Sequence, residues 1–216
     1  MWWRGCLDLG TTWGRLTCVL LRDVGPRALL VEVDGPGQAH AVAAWARARG
    51  GVVEVVPGAT TVLLDGVHPD GVAGLRAALA DLEPGTSAPE GPLVEVPVVY
   101  DGADLDDVAR AWGTDRDGVV DLHTSLELTA AFCGFAPGFA YLAGLPAERA
   151  VTRLDSPRTR VPAGSVALAG TWCAVYPHAS PGGWRLLGRT DLTLWDVERD
   201  DPALIGPGTR VRFVAR

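Results

Sequence analysis

The sequence predicts an α+β protein in two parts: a small N-terminal α+β unit, then a closed or nearly closed antiparallel β-barrel. Three observations carry this reading. Strand-like and helix-like hydrophobic patterns alternate over residues 27–82. A proline- and glycine-rich stretch, Glu83–Pro92, follows and can continue neither a helix nor a central strand. Beyond Leu126 the chain breaks into short β runs separated by glycine and proline, the pattern of a barrel.

The elements follow in order. Residues 1–26 hold strong β formers but also Gly5, Gly10, Gly14 and Gly25, which fits either a loose strand pair or an extension of little regular structure. Ala28–Val33 reads as a buried strand, Gln38–Arg49 as an alanine-rich helix, Val52–Val56 as a strand stopped by Pro57-Gly58, and Thr61–Asp65 as a third strand. Asp70 is positioned to cap a helix running to Leu82, whose Val72, Leu75, Ala78, Leu79 and Leu82 share one face. The domain boundaries are thus an N-terminal extension at 1–26, an α+β domain at 27–82, a linker at 83–92 and a barrel domain at 93–216. In the last, Leu93–Tyr100 is a strand and Asp104–Trp112 a helix with acidic residues in its first turn, where they complement the macrodipole. Thr114 with Asp117 resembles a capping box opening a helix through His123. Strands are then expected at Leu128–Cys133, Ser165–Ala169, Cys173–Tyr176, Trp184–Leu187 and Arg210–Val214.

Composition removes several function classes. A net charge of −7 withholds the attraction that carries most binding to nucleic acid or anionic membrane, so neither partner is expected. All 19 basic residues are arginine. Without lysine there is no Schiff base, no P-loop lysine and no attached biotin. The four cysteines and four histidines show no metal-ligand spacing, so no metal site is expected. The N-terminal segment has no basic region followed by an apolar core, and no membrane span is read, so a cytoplasmic chain with free thiols is expected.

Chemistry concentrates in three segments: Gly134–Pro146, Arg153–Val166 and Tyr176–Thr190. Paired glycines such as Gly182-Gly183 let backbone N–H groups approach an anion, and arginine forks match carboxylate or phosphate. A small anionic substrate is one reading; corners of a barrel turned by proline and glycine are the other, and the residue types alone weigh the two equally.

The segments Gly134-Phe-Ala-Pro-Gly-Phe-Ala-Tyr-Leu142 with Gly144-Leu-Pro146, Pro157-Arg158 with Val161-Pro-Ala-Gly-Ser-Val166, and Tyr176-Pro177 with Ser180-Pro-Gly-Gly-Trp-Arg-Leu-Leu-Gly-Arg-Thr190 together resemble one family. It is the family that comprises the B-type subunit of 5-oxoprolinase, the first subunit of allophanate hydrolase and the KipI-type kinase inhibitors. The resemblance spans roughly residues 25–216. It implies a cyclophilin-like barrel, a homologous barrel-type partner (the C-type subunit) and a third lactam-handling protein. Together these would open 5-oxoproline to glutamate at the expense of ATP, with Mg²⁺ supplied in the assembled complex. Inhibition of a sensor histidine kinase, or a carboxyltransferase or allophanate hydrolase type of role, is the alternative. The chain departs from the family pattern at Leu128 and Trp172-Cys173-Ala174, which implies an altered pocket there.

Within this frame His123, Arg158 and Arg189 are the expected catalytic residues, and Pro137, Gly138, Tyr141, Tyr176, Ser180, Gly182 and Gly183 the expected substrate-binding ones. Each has a plainer reading. His123 titrates near neutrality and suits proton transfer, or it caps a helix or lies buried with one hydrogen bond. Arg158, stiffened by neighbouring prolines, suits an anion, or it pairs with Asp155 at the rim. Arg189 lies near the same loop end. Phe135, Phe139 and Tyr141 flank a turn and suit a core or subunit interface, while Tyr141 and Tyr176 bring hydroxyls to a ligand. Ser180 lacks a nucleophile elbow and suits a turn hydrogen bond. Cys133 and Cys173 read as small buried hydrophobes.

Limited proteolysis is expected to cut first between Glu83 and Pro92 and to release a folded C-terminal fragment, because prolines and small polar residues leave little backbone hydrogen bonding there. A first cut within residues 134–190 would misplace the boundary.

Overall fold

The computed structural model describes residues 19–82 and 91–216. Residues 1–18 of the expected N-terminal extension and residues 83–90 of the expected linker lie outside the described residues.

The N-terminal unit is a four-stranded antiparallel sheet of order β1-β2-β4-β3. Its strands are β1 (Leu20–Asp23), β2 (Leu29–Glu32), β3 (Glu54–Pro57) and β4 (Thr61–Asp65). Helices α1 (Pro36–Arg49) and α2 (Val72–Ala80) complete it. Leu29, Val31, Val62 and Leu64 alternate onto one face and bury against Ala39, Val42, Ala43 and Ala46 of α1 and Leu75 and Leu79 of α2. Helix α1 begins two residues before the expected Gln38, because Pro36 occupies its first turn, where a missing N–H costs nothing. The expected Asp70 cap is absent: Pro69–Gly71 form a 3-10 turn, and α2 starts at Val72 with no side-chain cap. Strand β1 pairs with β2 through Leu20–Asp23, a short run whose glycine-rich surroundings masked it in the sequence.

The C-terminal unit is a seven-stranded sheet of order β12-β9-β10-β7-β6-β13-β5. Strands β5 (Leu93–Val98), β6 (Glu127–Cys133), β7 (Ala140–Ala143), β9 (Ser165–Ala169), β10 (Trp172–Val175), β12 (Arg185–Arg189) and β13 (Arg210–Ala215) build it. The sheet is not wholly antiparallel as expected, since β13 runs parallel to β5. The first and last strands of the domain meet side by side, and the whole barrel serves as their crossover, which a parallel pair requires. The strands β7, β8 (Arg158–Val161) and β11 (Ser180–Gly182) were not legible: each has three or four residues and sits inside a proline- and glycine-rich segment. Strands β8 and β11 form a separate ribbon.

The sheet closes where Val99, just past β5, meets Arg189 of β12 in a reciprocal pair of 2.9 Å backbone hydrogen bonds. The seam continues through Gly102 N–H to the Leu187 carbonyl (3.0 Å) and Asp104 N–H to the Leu186 carbonyl (3.1 Å). Two glycines permit it. A Cβ on Gly102 would meet the Leu186 and Leu187 backbone, and one on Gly188 the Val99 carbonyl. Asp104 anchors the seam: its carboxylate, only 4% exposed, accepts from Leu186 N–H (2.7 Å) and from the Arg158 guanidinium (2.8 Å).

Helices α3 (Leu105–Trp112) and α4 (Arg116–Ser125) fill the interior from one side. Helix α3 carries Asp106 and Asp107 in its first turn, as expected, and ends at Gly113 with φ +68°. The cap of α4 is Asp115, whose carboxylate accepts from Gly118 N–H at 2.9 Å, and not the expected Thr114. The two units meet at a β-bulge. The β6/β7 register slips at Ala131, and the buried His40 of α1 donates to the Ala131 carbonyl at 2.6 Å.

Removing the Asp104 carboxylate strands a partly buried guanidinium and an unpaired N–H on the seam. Asp104→Ala is expected to lower unfolding free energy by about 3 kcal/mol, whereas Arg189→Ala, which loses an exposed pair, is expected to lower it by less than ~1 kcal/mol. Urea unfolding of the two variants checks this.

Candidate functional site

Alternation along the barrel strands divides the expected site residues between two places. Val166, Leu168, Cys173, Val175, Leu142 and Ala140 point inward. Ala167, Ala169, Ala174, Tyr176 and Phe139 point outward, where the β8–β11 ribbon covers part of them through Val161.

His123 belongs to the interior. It is 0% exposed, stacked on Phe213 at 4.4 Å, with Nδ1 2.6 Å from the Tyr100 hydroxyl and Nε2 3.3 Å from Cys173 Sγ. The phenol is the stronger donor, so the network assigns Tyr100 O–H to donate to Nδ1 and the imidazole Nε2–H to donate to sulfur. Burial drives the imidazole down to about 3 and raises both the Tyr100 phenol and the Cys173 thiol, so all three are neutral near pH 7. Helix α4 runs on to Ser125, so His123 is not its cap. A histidine with no exposed surface and no charge meets the buried reading of the sequence, with two hydrogen bonds instead of one. Leu128 is also interior, fully buried, so its departure from the family pattern does not reach the outer face.

The outer face gathers Tyr141, Tyr176, Gly182 and the Pro137-Gly138 turn. Phe139 packs edge-on against Tyr176 (5.4 Å between centroids), Tyr141 (5.1 Å) and Trp184 (5.6 Å), and Tyr141 meets Trp184 at 5.6 Å. Gly182 serves this packing, because any Cβ there would meet the Tyr176 hydroxyl. Gly183 offers its carbonyl, not its N–H, to Leu154 at 2.8 Å. The Gly134–Phe139 turn lifts Phe135 outward, 62% exposed and at φ +70°, a backbone conformation rare for a bulky residue and one that clusters at binding sites. Gly138, at φ +79°, sits against Trp195, where a Cβ would lie 2.8 Å from the Trp195 Cβ. Burial raises the Tyr176 phenol, while the Trp184 backbone and the Arg153 and Arg158 charges pull it the other way.

Of the two expected arginines, Arg158 pairs with Asp104, not with Asp155, and also reaches the Trp184 carbonyl at 3.4 Å. Arg189 is exposed and pairs with Asp101 at 3.0 Å, on the closure seam and apart from the aromatic face. Ser180 makes no turn hydrogen bond: its Oγ is buried with no partner among the described residues, facing the ribbon's inner side with its cross-strand neighbour Val161. Cys173 is buried as expected, but Cys133, at the end of β6, is exposed. Trp184 was not among the expected site residues, although a tryptophan directly after Gly182-Gly183 was the available signal. Nor was Asp104, which looked like an ordinary helix start. An open cleft of about 390 Å³ lies beside α3, between Asp107, Arg110, Thr152 and Arg185. Its guanidiniums are already engaged, Arg185 with Asp107 at 2.9 Å and with the Thr152 carbonyl at 3.1 Å, and Arg110 with Asp107.

Residues 19–205 match the family described as carboxyltransferase domain, subdomain C and D. The chain is 39% identical over 214 residues to the B-type subunit of 5-oxoprolinase from Escherichia coli O157:H7, covering 93% of this chain and 96% of that protein. The crystal structure of TTHA0988 superposes with a TM-score of 0.73 at 34% identity, covering 88% of this chain and 40% of the TTHA0988 chain. The Kluyveromyces lactis urea amidolyase shares the fold, with a TM-score of 0.67 at 19% identity over 97% of this chain and 16% of that one.

The interior histidine makes a prediction in acid. Its folded-state value near 3 lies below the ordinary 6.5, so the unfolded chain binds a proton that the folded chain refuses. The resulting stability is complete above pH 6.5 and is lost as pH falls toward 3, at a slope of up to ~1.4 kcal/mol per pH unit. His123→Phe is expected to remove this one-proton slope in urea titrations between those limits. An unchanged slope would mean that His123 titrates normally.

Proposed function

Because the chain belongs to the carboxyltransferase domain, subdomain C and D family, we propose that it is the B-type subunit of an ATP-dependent 5-oxoprolinase. The reaction is 5-oxo-L-proline, ATP and water to L-glutamate, ADP and phosphate. The near end-to-end match to a protein named as that subunit in Escherichia coli carries this reading. The geometry supports a binding role for this chain. The outer aromatic face, where partly exposed Tyr141 and exposed Phe135 lie over the buried Tyr176 and Trp184, suits a small planar ring. Acid–base chemistry has no support at His123, which is neutral and sealed, and Ser180 has no base beside it.

Among the described residues there is no group of three or more His, Cys, Asp or Glu side chains that could hold a metal ion. In this proposal ATP and its Mg²⁺ belong to the other members of the complex, a homologous barrel partner and a third, lactam-handling protein. No helix among the described residues is long and apolar enough to cross a membrane.

Coexpression with both partners tests the reading. Glutamate release from 5-oxoproline is expected only when all subunits and ATP are present, with this chain alone inactive. An assembled complex that turns over no 5-oxoproline, or a chain that ignores both partners, would overturn it and favour the kinase-inhibitor alternative.

A further inference from the structure

Most arginines around the outer face are already spent; Arg153 and Arg160 of β8 make no ion pair among the described residues, and of these two only Arg153 lies over an aromatic ring. Arg149 donates to the Trp112 carbonyl, Arg158 to Asp104, Arg185 to Asp107 and Thr152, and Arg189 to Asp101. Arg153 makes no ion pair and no side-chain hydrogen bond among the described residues. Its guanidinium instead lies over the Trp184 ring, 5.8 Å from the centroid. The backbone that carries it is fixed on both sides, by Arg185 Nε to the Thr152 carbonyl (3.1 Å) and by Leu154 N–H to the Gly183 carbonyl (2.8 Å). A guanidinium laid on an indole keeps its N–H edges free, because the stack uses only the flat face.

The surroundings of those edges are specific. Trp184 meets Tyr141 and Phe139, each at 5.6 Å, and Phe139 meets Tyr176 at 5.4 Å, so one aromatic cluster runs away from Arg153, with Trp184, Phe139 and Tyr176 buried and Tyr141 its partly exposed member. The Tyr141 hydroxyl, on a partly exposed residue, makes no hydrogen bond among the described residues, leaving a neutral donor and acceptor on the same cluster. A stacked, unspent guanidinium at one end of an aromatic cluster with a free phenol recognises a carboxylate attached to a small flat ring. We infer that Arg153 is the carboxylate-binding residue of this face, and that Arg158 and Arg189 are not. The ring's identity as a lactam rests on the proposed function; the carboxylate does not.

Three probes separate the two claims when titrated calorimetrically, with tryptophan fluorescence, into the full-length chain. They are 5-oxo-L-proline, 2-pyrrolidinone (the lactam without the carboxylate) and cyclopentanecarboxylate (the carboxylate without the lactam). The wild-type chain is expected to bind both carboxylates and to bind 2-pyrrolidinone at least about tenfold more weakly. Arg153→Gln and Arg153→Lys are each expected to lose about tenfold or more for the carboxylates, with unfolding midpoints unchanged because the side chain is exposed. Arg153-dependent binding of cyclopentanecarboxylate without binding of 5-oxoproline would support the inference and overturn the lactam reading. Equal binding of 5-oxoproline by wild type and Arg153→Gln would overturn the inference and leave that reading standing. Absence of binding by either carboxylate would overturn the inference.

Discussion

The Asp104 carboxylate is the constraint from which the rest of the barrel follows. A sheet of seven strands has two edges, and here both are removed where the β5 end meets β12. Asp104 holds that junction with both oxygens, one on the Leu186 N–H and one on Arg158 of the outer ribbon. It thereby fixes three things together: the closure of the barrel, the start of α3, and the position of β8 over the outer face. A side chain that begins a helix would ordinarily cap it, and Asp104 gives up that bond to make these.

Closure in turn sorts the polar residues. Once the barrel is sealed, anything pointing inward must be neutral and satisfied, which is what Tyr100, His123 and Cys173 achieve by bonding to one another. What points outward need not be. Phe135, Arg153 and the Tyr141 hydroxyl therefore remain exposed or unspent where a ligand can use them. The same motif residues that mark the family thus serve two purposes, with glycines such as Gly182 and Gly188 making room for ring and backbone contacts.

Much of the fold was legible, for identifiable reasons. The strand Thr61–Asp65 showed as a short apolar run and the helix ending at Arg49 as an alanine-rich stretch closed by Gly50-Gly51, and the structure has that strand and that helix end at those residues. The ribbon strands β8 and β11 did not show, because residues such as Pro181 and Gly182 argue against a strand and only the partner strand makes one. The parallel β5–β13 pair was invisible because nothing local encodes which strands meet. At the candidate site, the family motifs fall on the segments that build the outer face, while the surroundings of individual side chains were set by residues far away in sequence. For His123 the sequence left proton transfer, a helix cap and burial open, because its burial comes from Phe213 and Cys173, far away in sequence. The actual partners of Arg158 and Arg189 were not legible, because Asp104 and Asp101 belong to a segment preceding the barrel strands that carry the motifs.

In the proposed reading, ligand chemistry belongs to the outer aromatic face and the interior histidine network is structural. Aromatic-ring NMR of the full chain during addition of 5-oxo-L-proline tests it most directly. Shifts are expected to be confined to Tyr141, Tyr176, Trp184 and Phe135, with the Tyr100, His123 and Phe213 rings unmoved. Shifts centred on His123 and Tyr100, with the outer rings silent, would contradict it.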